Sequence, residues 1–167
     1  MAALATGWAL NGMSVGLAPF SAATPPYWVK PSPSSRSAEI CVCEIFGRDV
    51  GAEGVAVGMG VHPFGDPKIV DDFSRETIPI DAREFHVYAA EWTPDGVVFF
   101  VDGNAVKRVG QSPDYPMQLM LGIYEFPAGG KRDARSYPKS FVVDYVRGYR
   151  LSPSGAMRRS ESAEGTK

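Results

Sequence analysis

Ala38-Glu-Ile-Cys-Val-Cys-Glu-Ile-Phe46 is the stretch of sequence that decides the fold. Its alternating pattern, with β-branched and aromatic side chains, predicts a β-strand that is closed by Gly47. The same strand carries two carboxylates, Glu39 and Glu44. The predicted strand therefore carries a pair of acidic side chains.

Short strand-like runs continue downstream. They cover residues 58–64, 85–92, 97–101, 105–109, 117–126 and 141–150, and a polar connection is predicted over 71–84. Asp102-Gly103-Asn104 separates two of these runs and predicts a hairpin whose turn needs positive φ angles. The 18 glycines and 14 prolines between the runs supply the turns of many short strands. With no internal repeat and no helix of ten residues or more, the pattern predicts an all-β fold.

Size and charge limit the function. A chain of 167 residues with 44% hydrophobic content can bury one core and has no room for two ordinary domains. The balance of 17 basic against 19 acidic residues gives a net charge of -2, without the positive field that nucleic acid or an anionic membrane requires. No apolar stretch approaches the length of a membrane span. A neutral or modestly charged ligand fits better.

The cysteines and histidines do not suggest a metal centre or a disulfide. Cys41 and Cys43 stand two apart in a strand, so a regular strand places them on one face, where they cannot easily bridge each other. With only His62 and His86 elsewhere, zinc-ligand spacing is lacking. We expect buried free thiols, no metal and no cofactor.

The two ends of the chain differ from its middle. Residues 1–37 are uncharged until Lys30, and we expect an atypical N-terminal segment whose best strand candidates are 7–10 and 27–29. Residues 38–151 should form the sandwich, and the polar tail 152–167 should be disordered. Residues 1–23 lack the basic start of a secretory signal, although 21–23 would pass as a cleavage site. The compartment stays open.

A pair of carboxylates is what glycoside hydrolysis needs: one attacks or stabilises the anomeric centre, and the other protonates the leaving oxygen. Retaining enzymes hold the two carboxyl groups about 5 to 5.5 Å apart and inverting enzymes about 6.5 to 9.5 Å. In a regular strand Glu39 and Glu44 point to opposite faces. A β-bulge near Val42 or Cys43 would bring them to one face, so this hypothesis requires a bulge.

The ordered segments resemble family 16 of the glycoside hydrolases. Glu39-Ile-Cys-Val-Cys-Glu44 is similar to the bulged family signature Glu-x-Asp-x-x-Glu, and Ile45-Phe46-Gly47 continues it. Segments 85–95, 100–103, 116–121 and 141–147 match the later strands in order, so that the resemblance covers about residues 37–150. It implies a concanavalin A-like jelly-roll β-sandwich. Because the signature begins so early in the chain, we expect an incomplete or misassigned N-terminus.

The resemblance also implies roles for the matched residues. Glu39 would be the nucleophile, and Glu44 the acid that protonates the departing sugar and then activates water. The family places an acidic residue between them, which binds the nucleophile, but this chain has Cys41 there. A thiol is a weak donor and a poor substitute for a carboxyl. Slow turnover, or glycan binding without cleavage, would follow.

Further candidates for sugar contacts are weaker. Trp28 and Trp92 could stack on sugar rings, although a tryptophan in a sandwich more often lies in the core. His62 falls where the family often has a histidine lining the cleft, and a structural, hydrogen-bonded histidine is the alternative. Tyr124 and Glu125 end an apolar strand and could reach the cleft floor. We expect His86 to be structural.

The function expected from the resemblance is retaining hydrolysis of internal β-linked bonds in a polysaccharide, with β-1,3 or mixed-linkage glucan favoured. The substrate would be the main partner of a monomer, and an extracellular location would suit such an enzyme. Two alternatives remain: a non-catalytic carbohydrate-binding sandwich, and an interaction or structural sandwich without a sugar ligand. The fold alone does not choose among the three.

Overall fold

Every regular element in the described part of the chain is a β-strand. The computed structural model describes residues 2–7, 13–19, 36–124, 140–151 and 157–159. Its strands are β1 (Ala2–Gly7), β2 (Met13–Pro19), β3 (Glu39–Val50), β4 (Val55–His62), β5 (Asp72–Ile78), β6 (His86–Thr93), β7 (Gly96–Val101), β8 (Asn104–Val109), β9 (Met117–Ile123), β10 (Val142–Leu151) and β11 (Met157–Arg159). None of the described residues forms a helix that could cross a membrane.

The strands form two antiparallel sheets that pack face to face. One sheet has the order β11-β10-β1-β6-β7-β8, and the other has the order β5-β4-β3-β2-β9. Contacts of β3 with β6, and of β4 and β5 with β8, join the two layers. This arrangement confirms the predicted all-β jelly-roll sandwich.

The core lies between the sheets and follows from strand alternation. On β4, Val57, Met59 and Val61 are fully buried, and the residues between them face away from the core. Tyr88 and Phe99 meet them from the opposite sheet and are also buried. Side chains of this size each stabilise the fold by about 1.5 to 3 kcal/mol when buried. The outer face of the five-stranded sheet does not belong to this core, so its side chains are available for a functional site.

The predicted hairpin is confirmed. Between β7 and β8 the turn residues Asp102 and Gly103 have φ angles of 49° and 80°. The Asp102 carboxylate accepts a hydrogen bond from the Val87 N–H at 2.9 Å and lies 2.7 Å from Nδ1 of His86. His86 Nε2 lies 2.9 Å from the carbonyl oxygen of Asp81. These contacts fit the structural role predicted for His86.

Two predicted boundaries in the middle of the chain are wrong. The polar connection expected over 71–84 contains the strand β5, and β3 continues through Gly47 to Val50. β5 is an edge strand whose side chains are mostly half-exposed or exposed. An edge strand of this kind needs few apolar residues, so its sequence does not show the usual strand pattern.

The two ends of the chain add strands to the sheets. β1 lies between β10 and β6, and β2 lies between β3 and β9, so both belong to the sandwich. Of the strand candidate 7–10, Gly7 ends β1, and residues 8–10 lie outside the described residues, as does the candidate 27–29. Within the tail 152–167, for which disorder is predicted, Met157–Arg159 pairs with Tyr149–Leu151 of β10. Alanine and glycine dominate β1, and these residues carry little strand propensity.

Candidate active site

The bulge required by the paired glutamates is present in β3. Along β4, His62, Gly60 and Gly58 are successive residues of one face. Their partners in β3 are Glu39, Cys41 and Glu44 respectively. From Cys41 to Glu44 there are three steps along β3, whereas their partners Gly60 and Gly58 are two steps apart on β4. The extra residue brings both glutamates to the same face of the sheet.

The bulge also separates the two cysteines. Val42 and Cys43 both belong to the buried core, whereas Cys41 shares the outward face with Glu39 and Glu44. We call this outer side of the five-stranded sheet the glutamate face. The prediction that Cys41 and Cys43 share a face is wrong, because it assumed a regular strand. Both thiols are free and buried, as expected.

Glu39 is half-buried on the glutamate face, directly across from His62. Burial raises the pKa of the Glu39 carboxyl above its ordinary value, and the neighbouring charge of Glu44 raises it further. His62 opposes both effects and lowers it. The influence of Glu44 on this pKa means that the two carboxyl groups are close enough to interact.

Cys41 lies between the glutamates, at the position where the resembled family has an acidic residue. Its Sγ donates a long hydrogen bond of 3.9 Å to the carbonyl oxygen of Gly58. Burial raises the pKa of the Cys41 thiol well above its ordinary value, and the charges of Glu39 and Glu44 add to the rise. The thiol therefore stays neutral and does not replace a carboxyl group beside Glu39.

Glu44 is held by an arginine from the edge strand. Nη2 of Arg75 lies 2.9 Å from Oε1 of Glu44, and Nη1 of the same guanidinium lies 2.9 Å from Oδ2 of Asp49. The guanidinium also lies over the Phe46 ring, 4.2 Å from its centroid. Sequence reasoning missed Arg75 because it placed this residue in a connecting segment.

His62 contributes a second polar group beside Glu39. Its Nδ1 lies 3.2 Å from Oδ1 of Asp71, and its ring stacks on Phe73 with centroids 4.5 Å apart. A Cβ added at Gly58 would lie 2.5 Å from Phe73 Cζ and 3.3 Å from the Cβ of Glu44. Phe73 therefore covers Gly58 on the glutamate face. The sequence did not suggest Phe73 as a site residue.

Tyr124 lies on the same face, on the other side of β3. A Cβ added at Gly122 would lie 2.6 Å from the Tyr124 hydroxyl oxygen, so the phenol ring rests on Gly122. Gly122 pairs with Ser14 of β2, and Ser14 pairs with Glu44. Two strand spacings of about 4.8 Å each therefore separate Gly122 from Glu44. The exposed ring of Tyr124 thus borders the space above the glutamates.

Trp92 is not brought to the glutamate face. It lies on β6 of the opposite sheet, packs against the core, and donates from Nε1 to Ser112 Oγ at 2.8 Å and to the Pro113 carbonyl oxygen at 3.1 Å. Trp28 and Glu125 lie outside the described residues. Within the described ranges, no group of three or more His, Cys, Asp or Glu side chains could hold a metal ion.

Known protein families and proteins provide an independent comparison. The family model for glycosyl hydrolases family 16 matches residues 22–147. A beta-glucanase of Rhodothermus marinus is 35% identical over 89 residues, which cover 44% of this chain and 31% of that protein. The endo-1,3-1,4-β-glycanase ExsH of Rhizobium meliloti is 25% identical over 130 residues, covering 76% and 27%. The chain thus spans about a third or less of these curated relatives.

Solved structures share the fold at low sequence identity. The GlcNAcα1-4Gal-releasing endo-β-galactosidase from Clostridium perfringens aligns with a TM-score of 0.65 at 20% identity, over 98% of this chain and 44% of the other. A laminarinase from Flavobacterium sp. UMI-01 aligns with a TM-score of 0.61 at 20% identity, over 87% and 64%. Since the family model covers most of the chain, this chain belongs to the glycosyl hydrolases of family 16.

Proposed function

We propose that this chain carries the catalytic pair of a retaining endo-glycosidase that cleaves internal β-linked bonds of a polysaccharide. The observation that supports this most directly is the β3 bulge, which puts Glu39 and Glu44 on one face with Cys41 between them. A bulge that re-aims a charged side chain is a recurrent device next to active sites.

In the first step, the ionised Glu39 attacks the anomeric carbon while Glu44 gives its proton to the glycosidic oxygen of the departing sugar. The C–O bond to the leaving group breaks, and a covalent glycosyl ester forms on Glu39. In the second step, Glu44 takes a proton from water, the water oxygen attacks the anomeric carbon, and Glu39 leaves as a carboxylate. Two displacements at one carbon retain its configuration.

The raised pKa of Glu39 has a cost in this scheme, because the nucleophile must be ionised. His62 partly offsets this cost, since it lowers the same pKa. Cys41 does not help, because its thiol donates to the Gly58 carbonyl oxygen. We therefore expect slow turnover, with a rate that rises with pH as Glu39 ionises.

A β-glucan is the substrate class that we propose, with β-1,3 or mixed β-1,3/1,4 linkage. The support is the similarity to proteins named beta-glucanase and endo-1,3-1,4-beta-glycanase. The exposed ring of Tyr124 offers an aromatic surface for a sugar beside the glutamates. Trp28 and Glu125 stay predicted sugar contacts.

A second candidate function is glycan binding without cleavage. Two contacts favour it: Cys41 donates to the Gly58 carbonyl oxygen, and Arg75 forms an ion pair with Glu44. The first does not assist Glu39 as an ionised nucleophile, and the second does not assist Glu44 as a protonated acid. Such a protein would bind the same polysaccharide on the glutamate face and release no product.

Reducing-sugar release from a panel of β-glucans and β-galactans separates the two functions. We expect release from at least one glucan by the wild-type chain and its loss in Glu39→Gln. Glu91→Gln, in β6 of the other sheet, is the matched control and should keep full activity. Retained binding without any release, in a chain with a cooperative unfolding transition, would support the binding function instead.

A further inference from the structure

We infer that Arg75 is a positioning residue that aims the Glu44 carboxylate when Glu44 acts as the base of the second step. This inference rests on the proposed function of Glu44. Arg75 comes from β5, two strands away from β3, and its guanidinium reaches across β4 to the glutamate. A charge-assisted hydrogen bond of 2.9 Å fixes the direction of a carboxylate much better than solvent does.

Three contacts hold the guanidinium itself in place. Nη1 binds Asp49 and Nη2 binds Glu44, each at 2.9 Å, while the flat face of the group lies over Phe46. The side chain is 32% exposed, so that screening by solvent is reduced. Asp49 and Phe46 therefore hold the Arg75 guanidinium in place, and Arg75 in turn orients Glu44.

Arg75 is the cation that lies against Glu44. On its own strand, Glu44 shares the glutamate face with Glu39 and Cys41, neither of which carries positive charge. From β4, His62 stands opposite Glu39 rather than Glu44, and Ser14 is its partner in β2. Among the described residues, Arg75 is therefore the cation that forms an ion pair with Glu44, and its loss leaves the carboxylate without this anchor.

The chain contains a matched control for this contact. Arg48 lies over the same Phe46 ring, 4.6 Å from its centroid, and pairs with the same Asp49 at 3.6 Å. Its side chain is 74% exposed, and its ion pair does not include Glu44. Arg48→Met removes an arginine from the cluster without changing the Glu44 contact, whereas Arg75→Met removes that contact.

The test measures kcat and KM of the wild type, Arg75→Met, Arg75→Lys and Arg48→Met. For Arg75→Met we expect kcat to fall about ten- to a hundredfold, as is typical of a misaimed catalytic group, with KM nearly unchanged. Lysine should restore only part of kcat, because it keeps the charge but not the planar geometry of the guanidinium. Arg48→Met should match the wild type. Equal kcat values for Arg75→Met and Arg48→Met would overturn the inference.

A measurement that needs no turnover separates this inference from the proposed function. The side chain of Glu44, labelled with ¹³C and assigned with Glu44→Gln, is followed by NMR relaxation in the same variants. Arg75→Met should increase the mobility of the Glu44 side chain, and Arg48→Met should leave it unchanged. Unchanged mobility in Arg75→Met would overturn the inference even in an active enzyme. A wild type that cleaves no glycan but shows this difference would refute the proposed function while keeping the Arg75–Glu44 contact.

Discussion

Glu39 and Glu44 share one face of β3 because Val42 is an extra residue in the strand. Val42 has no partner in β2, where Cys41 and Cys43 pair with the consecutive residues Gly16 and Val15. An odd number of positions separates the glutamates, and in a regular strand they would point to opposite faces. The proposed catalysis therefore depends on this local irregularity of the strand.

Restoring a carboxyl between the glutamates should speed hydrolysis. In Cys41→Asp a protonated carboxyl can donate its O–H to Glu39, which the thiol does not do. A hydrogen bond to a charged group is worth about 1.5 to 3 kcal/mol, so we expect kcat to rise about tenfold. The variant should also be less stable, since Cys41 is buried. Cys41→Ser is the control, and a folded Cys41→Asp chain with unchanged turnover would contradict the prediction.

The raised pKa of Glu39 predicts a pH-dependent gain in stability for Glu39→Gln. A carboxyl whose pKa is higher in the folded than in the unfolded chain contributes stability below the unfolded value, near 4.5, and loses it as pH rises through the folded pKa. Glutamine cannot ionise and avoids this loss. The variant should therefore show a higher Tm than the wild type at pH 7, with the difference vanishing below about pH 4. A constant difference across this range would count against ionisation of buried Glu39 as the cause.

Gly60 should tolerate no side chain, because it has a φ of 147° and a Cβ there would lie 2.1 Å from the Asp72 carbonyl oxygen. Gly103 has a φ of 80°, but a Cβ at that position meets no atom within 4 Å. We expect Gly60→Ala to lower the free energy of unfolding by about 3 kcal/mol or more and Gly103→Ala by about 1 kcal/mol. Urea unfolding measures the free energy of unfolding of both variants. Equal losses would show that the close approach of β5 to Gly60 does not affect stability.

Tyr124 and Trp92 should differ in what their loss affects. Tyr124→Ala removes an aromatic surface beside the glutamates and should raise KM about three- to tenfold with little effect on stability. Trp92→Phe removes the hydrogen bonds to Ser112 and Pro113, so it should cost about 1 kcal/mol of stability and leave KM unchanged. A raised KM in Trp92→Phe would make that residue a sugar contact after all.

Strong local patterns made most of the fold predictable. The alternating run of β3 and the Asp102-Gly103 turn each indicated their structure, because side-chain period and positive φ leave clear signals. β1, β2, β5 and β11 were not found. β1 is rich in alanine and β5 is an edge strand with charged side chains, and neither composition has a marked strand preference.

The candidate site could be predicted only along a single strand. Because an odd number of positions separates Glu39 from Glu44, the sequence was enough to show that they require a bulge to share a face. The structure confirms that bulge. Arg75 and Phe73 lie close to them through the register of β4 with β5, which a strand pattern does not reveal. Similarly, the pattern around Trp92 does not show which of the two sheets holds it.

Covalent trapping of the nucleophile tests the central claim most directly. A fluorinated β-oligoglucoside with an activated leaving group slows both steps, and the good leaving group lets the first step proceed, so the glycosyl ester accumulates. Mass spectrometry of a proteolytic digest should then find one added sugar unit on the peptide that contains Glu39, and no such adduct in Glu39→Gln. An adduct on a different carboxylate, or none in a folded chain that binds the reagent, would contradict the assignment of Glu39 as the nucleophile of a retaining glycosidase.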